Sequence, residues 1–462
     1  MTPTKHATWR KASTRIAPAI ALTLGCVACG TALADGANDN PYSPAYGHAY
    51  RHGVLPTREA WEHMKEYASQ HAVPGGGAAG SKTLVYQGGV DGIGVTSGIP
   101  KTYLVVWGNQ WGTKGTDAQG NWTFSGDSAG AIPYLQRMFK GIGTNGELWS
   151  GVMTQYCDGA VAAGATSCPS GASFVGYPSG GTFAGIIYDN SSAAPSQATY
   201  TQLGQEAVKA AGTFGNTTAA SNRYAQYVVL SPHGTHPDGF NTPGGTFCAW
   251  HDWNGDVGVA STYGDIAFTN MPYVLDLGAS CGQNFVNSGT AGTLDGFSIV
   301  NGHEYAETIT DQNPIGGWFN TSLNQENADE CSWISSGQGA SANVAMATGT
   351  FAMQSTWSND TNRCDITHPI VTGGGGGGGG PTASFSYAAN GLNVTFTDGS
   401  TDTSGTINSH QWNFGDGSSV TVMTNTATHS YTKPGNYSVT EKVTDSNGAS
   451  ASATKAVSVR KH

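Results

Sequence analysis

Apolar residues fall in short blocks along this chain, and their spacing changes from one stretch to the next. Tyr103-Leu104-Val105-Val106-Trp107 is an unbroken run rich in β-branched and aromatic residues, and it predicts a buried strand. Gly185-Ile186-Ile187-Tyr188 and Tyr227-Val228-Val229-Leu230 predict two more. Between them, residues 132–139 and 200–214 carry helical spacing. Strands alternating with helices predict an α/β domain around a mixed, partly parallel sheet, spanning residues 83–369. Further on the period drops to two. Phe385, Val394-Thr395-Phe396, Tyr437-Ser438-Val439 and Ala456-Val457-Ser458-Val459, separated by turn residues, predict an all-β sandwich over residues 381–462.

Residues 370–380 join the two and include an unbroken glycine run, which has no side chains to bury and reads as a linker. Residues 35–82 are polar, with one helical patch at 58–67 behind a candidate N-cap, Thr57, and they end near Pro74-Gly75-Gly76-Gly77. They read as an N-terminal arm or a short propeptide. The first 34 residues follow the order of a secretory signal peptide. Lys5, Arg10, Lys11 and Arg15 precede an apolar stretch at 16–27, and Ala32-Leu33-Ala34 offers a cleavage site. No later segment reads as membrane-spanning, so a secreted, extracellular bacterial protein is expected, acting as a monomer.

Composition sharpens that picture. A net charge of −11 without clustered lysine and arginine argues against nucleic acid as a partner. Of the eight cysteines, Cys26 and Cys29 lie in the signal segment. The six left, Cys157, Cys168, Cys248, Cys281, Cys331 and Cys364, predict three disulfides in an oxidising compartment, with pairing in sequence order as the working expectation.

The C-terminal segment carries Trp412-Asn413-Phe414-Gly415-Asp416-Gly417, then His429-Ser430-Tyr431, Pro434-Gly435-Asn436-Tyr437 and Val443-Thr444-Asp445. It resembles the PKD domain family, an immunoglobulin-like module. That resemblance implies that Trp412 and Phe414 are core, that Asp416 belongs to a turn, and that the module attaches or spaces an extracellular hydrolase.

The candidate chemistry lies upstream, in Gly302-His303-Glu304-Tyr305-Ala306-Glu307. Phe297, Val300, Ala306 and Ile309 suit the buried face of a helix that Asn313-Pro314 would stop. Residues four apart share a helix face, so His303 and Glu307 can grip one ion, with Glu304 beside them as general base. This is the layout of the zincin H-E-x-x-H helix with glutamate in place of the second histidine. Nineteen residues after Glu307 comes Glu326, then Asp329, both candidates to complete the ligand set, with Cys331 stapling the segment. Zinc is the expected metal, and the carboxylates also suit calcium or manganese. On a partly exposed helix the same acids would simply be solvated. His233, His236 and His251 lie in two further clusters, read as loops, and are additional candidates.

Stretches including Val105-Val106-Trp107-Gly108-Asn109-Gln110-Trp111, Phe247-Cys248-Ala249-Trp250-His251, His303-Glu304-Tyr305-Ala306-Glu307 and Glu326-Asn327-Ala328-Asp329-Glu330-Cys331 resemble secreted bacterial proteins distantly similar to plant phosphate-induced, exordium-like proteins. The resemblance covers residues 83–335 and implies a domain boundary and motif positions rather than an activity. A Gly126-Asp127-Ser128-Ala129-Gly130 match to G-x-S-x-G raises a serine hydrolase, though Asp127 or Ser128 capping the next helix explains it as well. Taken together, the sequence points to a secreted metal-dependent hydrolase, foremost a zinc endopeptidase acting on extracellular protein. The alternatives are a non-enzymatic wall or matrix protein with a structural ion, an enzyme acting on polysaccharide, and a serine hydrolase.

Overall fold

The computed structural model describes residues 40–71, 82–371, 381, 383–402, 406–445 and 450–461. The expected signal peptide and the glycine run lie outside the described residues. Six strands make the main sheet: β1 (His52–Pro56), β2 (Lys101–Trp107), β3 (Phe183–Asp189), β4 (Ala225–Leu230), β5 (Phe247–Trp253) and β6 (Ala267–Met271). Their order is β1-β5-β6-β4-β2-β3. The three runs picked out by composition are neighbours, with β2 parallel to both β3 and β4. β6 extends the parallel set beside β4, while β5 runs antiparallel to both of its neighbours. β4 and β6 are buried at every position, which is why they carry no polar alternation.

Four helices matter for the site: α1 (Arg58–Gln70), α2 (Ala131–Gly141), α3 (Tyr200–Phe214) and α4 (Asp295–Thr310). Helix α3 begins at a capping box formed by Thr199 and Gln202, and Thr57 caps α1 as expected. Successive side chains on a strand point to opposite faces, and β6 shows which helix covers which face. A Cβ on Gly204 of α3 would sit 3.6 Å from the Phe268 ring. The next residue, Thr269, shares the side-chain amide of Gln226 with Thr308 of α4. Helices α3 and α4 therefore cover opposite faces of the sheet.

The six cysteines pair in sequence order, Cys157–Cys168, Cys248–Cys281 and Cys331–Cys364. At the G-x-S-x-G match the preceding strand, Trp122–Phe124, belongs to a small hairpin with Lys114–Thr116 rather than to the main sheet. Ser128 is exposed. The Asp127 carboxylate accepts hydrogen bonds from the Ala131 and Ile132 amides at 3.0 and 2.8 Å, and from the Tyr273 hydroxyl at 3.0 Å. The motif is a helix cap. Asp127→Ala is expected to cost about 1–2 kcal/mol in urea unfolding, whereas Ser128→Ala should stay within about 0.5 kcal/mol of wild type.

The C-terminal domain is a sandwich. One sheet holds Phe385–Asn390, Asn393–Asp398 and Thr426–Ser430, and the other Ser419–Val422, Ile407–Asn413, Gly435–Asp445 and Ser450–Val459. Trp412 is fully buried, its ring 5.1 Å from that of Phe385 and 5.3 Å from that of Phe396 across the sandwich. Gly415 turns the chain at a φ of 78°, where a Cβ would lie 2.5 Å from the Ser438 carbonyl oxygen, so glycine is required there. Because this core is built from the domain's own residues, a fragment starting at Pro381 is expected to unfold cooperatively by itself. In that fragment Trp412→Ala should cost about 3–5 kcal/mol in a denaturant titration.

Candidate functional site

Every one of the sixteen residues of α4 is buried. A surface helix with solvated acids is therefore not what forms. A helix enclosed on all sides would normally be apolar, yet α4 carries Ser298, Asn301, His303, Glu304, Glu307 and Thr308. Spacing of four places His303 and Glu307 one above the other. The segment 247–252, read from sequence as a loop, is β5, and His251 on it is fully buried. Trp250 packs on the Phe268 ring towards α3, so alternation turns His251 towards α4. The third contribution comes from the loop holding Glu326 and Asp329. The Cys331–Cys364 bridge pins it, and the Asn327 carbonyl accepts from the Trp357 amide at 2.7 Å.

These elements bring five ligand-type side chains together. His251 Nε2 lies 3.1 Å from Glu326 Oε2 and 3.9 Å from Glu307 Oε2. His303 Nε2 lies 3.1 Å from Glu307 Oε2 and 3.6 Å from Asp329 Oδ1. Two triads result, His251–Glu307–Glu326 and His303–Glu307–Asp329, each with ligand atoms within 4.8 Å of one another and both sharing Glu307. Glu307 Oε1 accepts from the Asp329 amide at 2.8 Å, and the Glu326 amide donates to Asp329 Oδ2 at 3.2 Å. Gln354, from the segment after the hairpin Ala342–Met353, sits beside His303 Nδ1 and donates to the Ala328 carbonyl at 2.7 Å.

Electrostatically the cluster is unbalanced. Among the described residues, Glu307, Glu326 and Asp329 have ion-pair partners only in the two histidines, and neither lysine nor arginine reaches them. Glu307 Oε2, Glu326 Oε1 and both oxygens of Glu304 accept no hydrogen bond. Burial, followed by the neighbouring carboxylates, pushes Glu304, Glu326 and Asp329 well above the usual carboxylate range. Burial drives His251 well below the usual imidazole value, aided by His52 and His303. For His303 burial also acts downward, but the charges of Glu307 and Asp329 outweigh it and raise the value. Buried acids left without cationic or hydrogen-bonding partners are costly, and a divalent cation is what this donor set fits.

His251 thus joins His303, Glu304, Glu307, Glu326 and Asp329, whereas His233 and His236 do not. His233 is exposed and pairs with Asp276. His236 Nδ1 lies 3.0 Å from the Phe240 carbonyl oxygen. Three participants had no sequence signal. Gln354 is fifty-one residues from the histidine it touches, Gly53 comes from the N-terminal arm, and Asp311 closes α4 by accepting from the Ile315 and Gly316 amides. A separate group, His52, Asp252 and Asp256, lies at the outer end of β5.

The C-terminal residues 381–460 match the PKD domain family. Over 70 residues, 15% of this chain, the sequence is 44% identical to the pre-pro-metalloprotease PrtV of two Vibrio cholerae strains, and the chain spans 7% of the length of those relatives. Among solved structures, the PKD1 domain of the Vibrio cholerae metalloprotease PrtV is 40% identical, the match covering 18% of this chain and 98% of that one with a TM-score of 0.17. The PKD1 domain of Vibrio anguillarum Epp is 34% identical over 18% of this chain and 95% of that one, again with a TM-score of 0.17. The C-terminal segment of this chain is a PKD domain.

Proposed function

We propose that the protein is a secreted metal-dependent hydrolase, a zinc endopeptidase acting on extracellular protein. The observation that carries this reading is the convergence of two buried imidazoles on two buried carboxylates, Glu307 and Glu326, and the half-buried Asp329, which among the described residues have no other cationic partner. His251, His303 and Glu307 would hold the ion, with Glu326 and Asp329 completing the set. Two nitrogen donors favour zinc over calcium, which takes oxygen ligands. When bound, such an ion supplies Lewis acidity and brings the pKa of water at the site towards neutrality. Glu304 stands next to His303 on α4 with both carboxylate oxygens free of hydrogen bonds. In this reading it takes a proton from the attacking water and returns it to the leaving amine. Gln354 would act on His303 from behind, fixing the ring's orientation through Nδ1. The PKD domain, which matches one in a Vibrio cholerae metalloprotease, suits attachment to protein or polysaccharide surfaces.

One observation favours a second reading. His251, His303, Glu307 and Glu326 are sealed from solvent, as a structural ion site would be. The resemblance to bacterial H-E-x-A-E and exordium-like proteins read from the sequence of residues 83–335 would suit this wall-protein role as well as the enzyme. The two differ in what Glu304 does. Among the described residues no helix is long and apolar enough to cross a membrane, and the signal-peptide reading leads us to place the protein outside the cell.

Glu304→Gln is expected to retain metal and lose turnover of casein by on the order of 10²–10⁴-fold. His251→Ala, His303→Ala and Glu307→Ala should lose metal and turnover together. Elemental analysis and peptide release, measured side by side, check this. Full activity in Glu304→Gln, or unchanged metal content in the other three, would move the structural-ion reading to the front.

A further inference from the structure

One short strand of the N-terminal arm lies directly against the cluster. Gly53, in β1, has a φ of +49° and lies so close that a Cβ would fall 2.1 Å from Glu307 Oε2 and 2.5 Å from His251 Cδ2. Its carbonyl oxygen is 3.3 Å from His303 Nε2, the nitrogen that faces Glu307. β1 pairs antiparallel with β5, His52 opposite His251 and Leu55 opposite Ala249, and the register shifts between these pairs. That irregularity presses the Gly53 backbone onto the cluster. What covers the ligand set is thus a backbone carbonyl on an added strand, the same group that a peptide substrate would bring.

The strand is clamped at both ends. Arg51 Nε donates to Asp238 Oδ2 at 2.7 Å, Nη2 to the Asp238 carbonyl at 2.8 Å and Nη1 to the Pro44 carbonyl at 2.7 Å. The Tyr50 hydroxyl donates to Asp238 Oδ1 at 2.9 Å, and its ring stacks on Tyr200 with centroids 4.0 Å apart. At the other end the Thr57 amide donates to the Thr246 carbonyl at 2.8 Å, and Trp333 Nε1 to the Pro56 carbonyl at 2.8 Å. Helix α1, which follows, buries only Ala60. Attachment therefore rests on β1 and its flanks rather than on a wide apolar face of the arm.

We propose that the outer edge of β5 is the peptide-binding edge of the site, and that residues 50–57 are its built-in occupant, an inhibitory segment that leaves before a substrate chain can enter. The ligand class is an extended stretch of unfolded or flexible protein, bound by strand addition through its main chain. Main-chain pairing makes selection by sequence loose. The tight approach at Gly53 adds a preference for glycine or another small residue over Glu307. The left-handed turn at Gly53 keeps the resident strand out of regular register, which separates a plug from a substrate. The fate of the bound peptide rests on the hydrolase reading above; its binding does not.

The test uses the mature full-length chain with a recognition sequence for a specific protease inserted between residues 72 and 81, and a fluorescent synthetic peptide of residues 48–58. After the cut, the arm should separate under native conditions while circular dichroism shows a folded remainder. The labelled peptide should bind that remainder, and its Gly53→Leu version on the order of tenfold more weakly. Casein turnover should rise by on the order of tenfold or more on cutting, and the peptide should compete with casein. In the uncut chain Arg51→Ala, remote from the cluster, should raise basal turnover in the same direction. Peptide binding without turnover in any form would uphold the binding edge and remove the hydrolase reading. An arm that stays bound while turnover is unchanged, a remainder that unfolds on losing it, or equal binding of the two peptides would each overturn the proposal and make β1 an integral strand.

Discussion

Two carboxylates held out of water against two imidazoles, with a third, Asp329, half-buried at their edge and, among the described residues, no lysine or arginine paired with them, are the constraint on which the rest of this domain turns. Removing a carboxylate from water costs several kcal/mol unless a positive charge or full hydrogen bonding replaces the lost solvation. At Glu307 and Glu326 neither replacement is complete. The fold bears this burden inside α4, its most enclosed helix, where an apolar sequence would have packed at no such penalty. A cation bound in the cluster, as proposed above, would balance charge, orphaned oxygens and burial together.

The surrounding architecture holds those groups in place from different parts of the chain. β5, running against both of its neighbours, delivers His251 to the face that α4 covers. The Cys248–Cys281 bridge fixes that strand, and Cys331–Cys364 fixes the loop of Glu326 and Asp329. Asp311 ends α4 under a cap of backbone amides, and burial still lifts its carboxyl to about 7. The site is thus stapled on two sides and closed on a third by the N-terminal arm.

Much of this was legible in the sequence where local physics decides. The helix at 200–214 was read with its final boundaries because steady helical spacing runs its length, and the capping box that opens it came to light only in the structure. The β2 and β4 runs announced themselves because buried parallel strands carry no polar alternation, whereas the β3 run, read as buried, forms the half-exposed edge strand of the sheet. The PKD sandwich followed from its Trp412-x-Phe414 core and turn glycines. His303 and Glu307 were legible as a candidate pair, with Glu304 beside them, because which residues of a helix meet is decided locally. His251 was legible only as a candidate. In a run of Phe, Cys, Ala and Trp, a histidine and an aspartate look like a loop until the sheet encloses them. Gly53 and Gln354 were not legible, since Gln354 meets His303 across 51 residues with no motif to mark it and Gly53 meets it across 250 through its backbone rather than a side chain. Nor could the sequence show that α4 is buried all round, because its polar residues mimic a surface helix.

The measurement that bears most directly on the account is the metal content of the purified full-length chain, taken with its melting temperature before and after chelation. The account predicts about one tightly held divalent ion per chain, and a fall in melting temperature when it is removed, since a ligand bound only by the folded state stabilises that state. A chain that carries no metal after exposure to zinc, and melts at the same temperature with and without chelator, would contradict it.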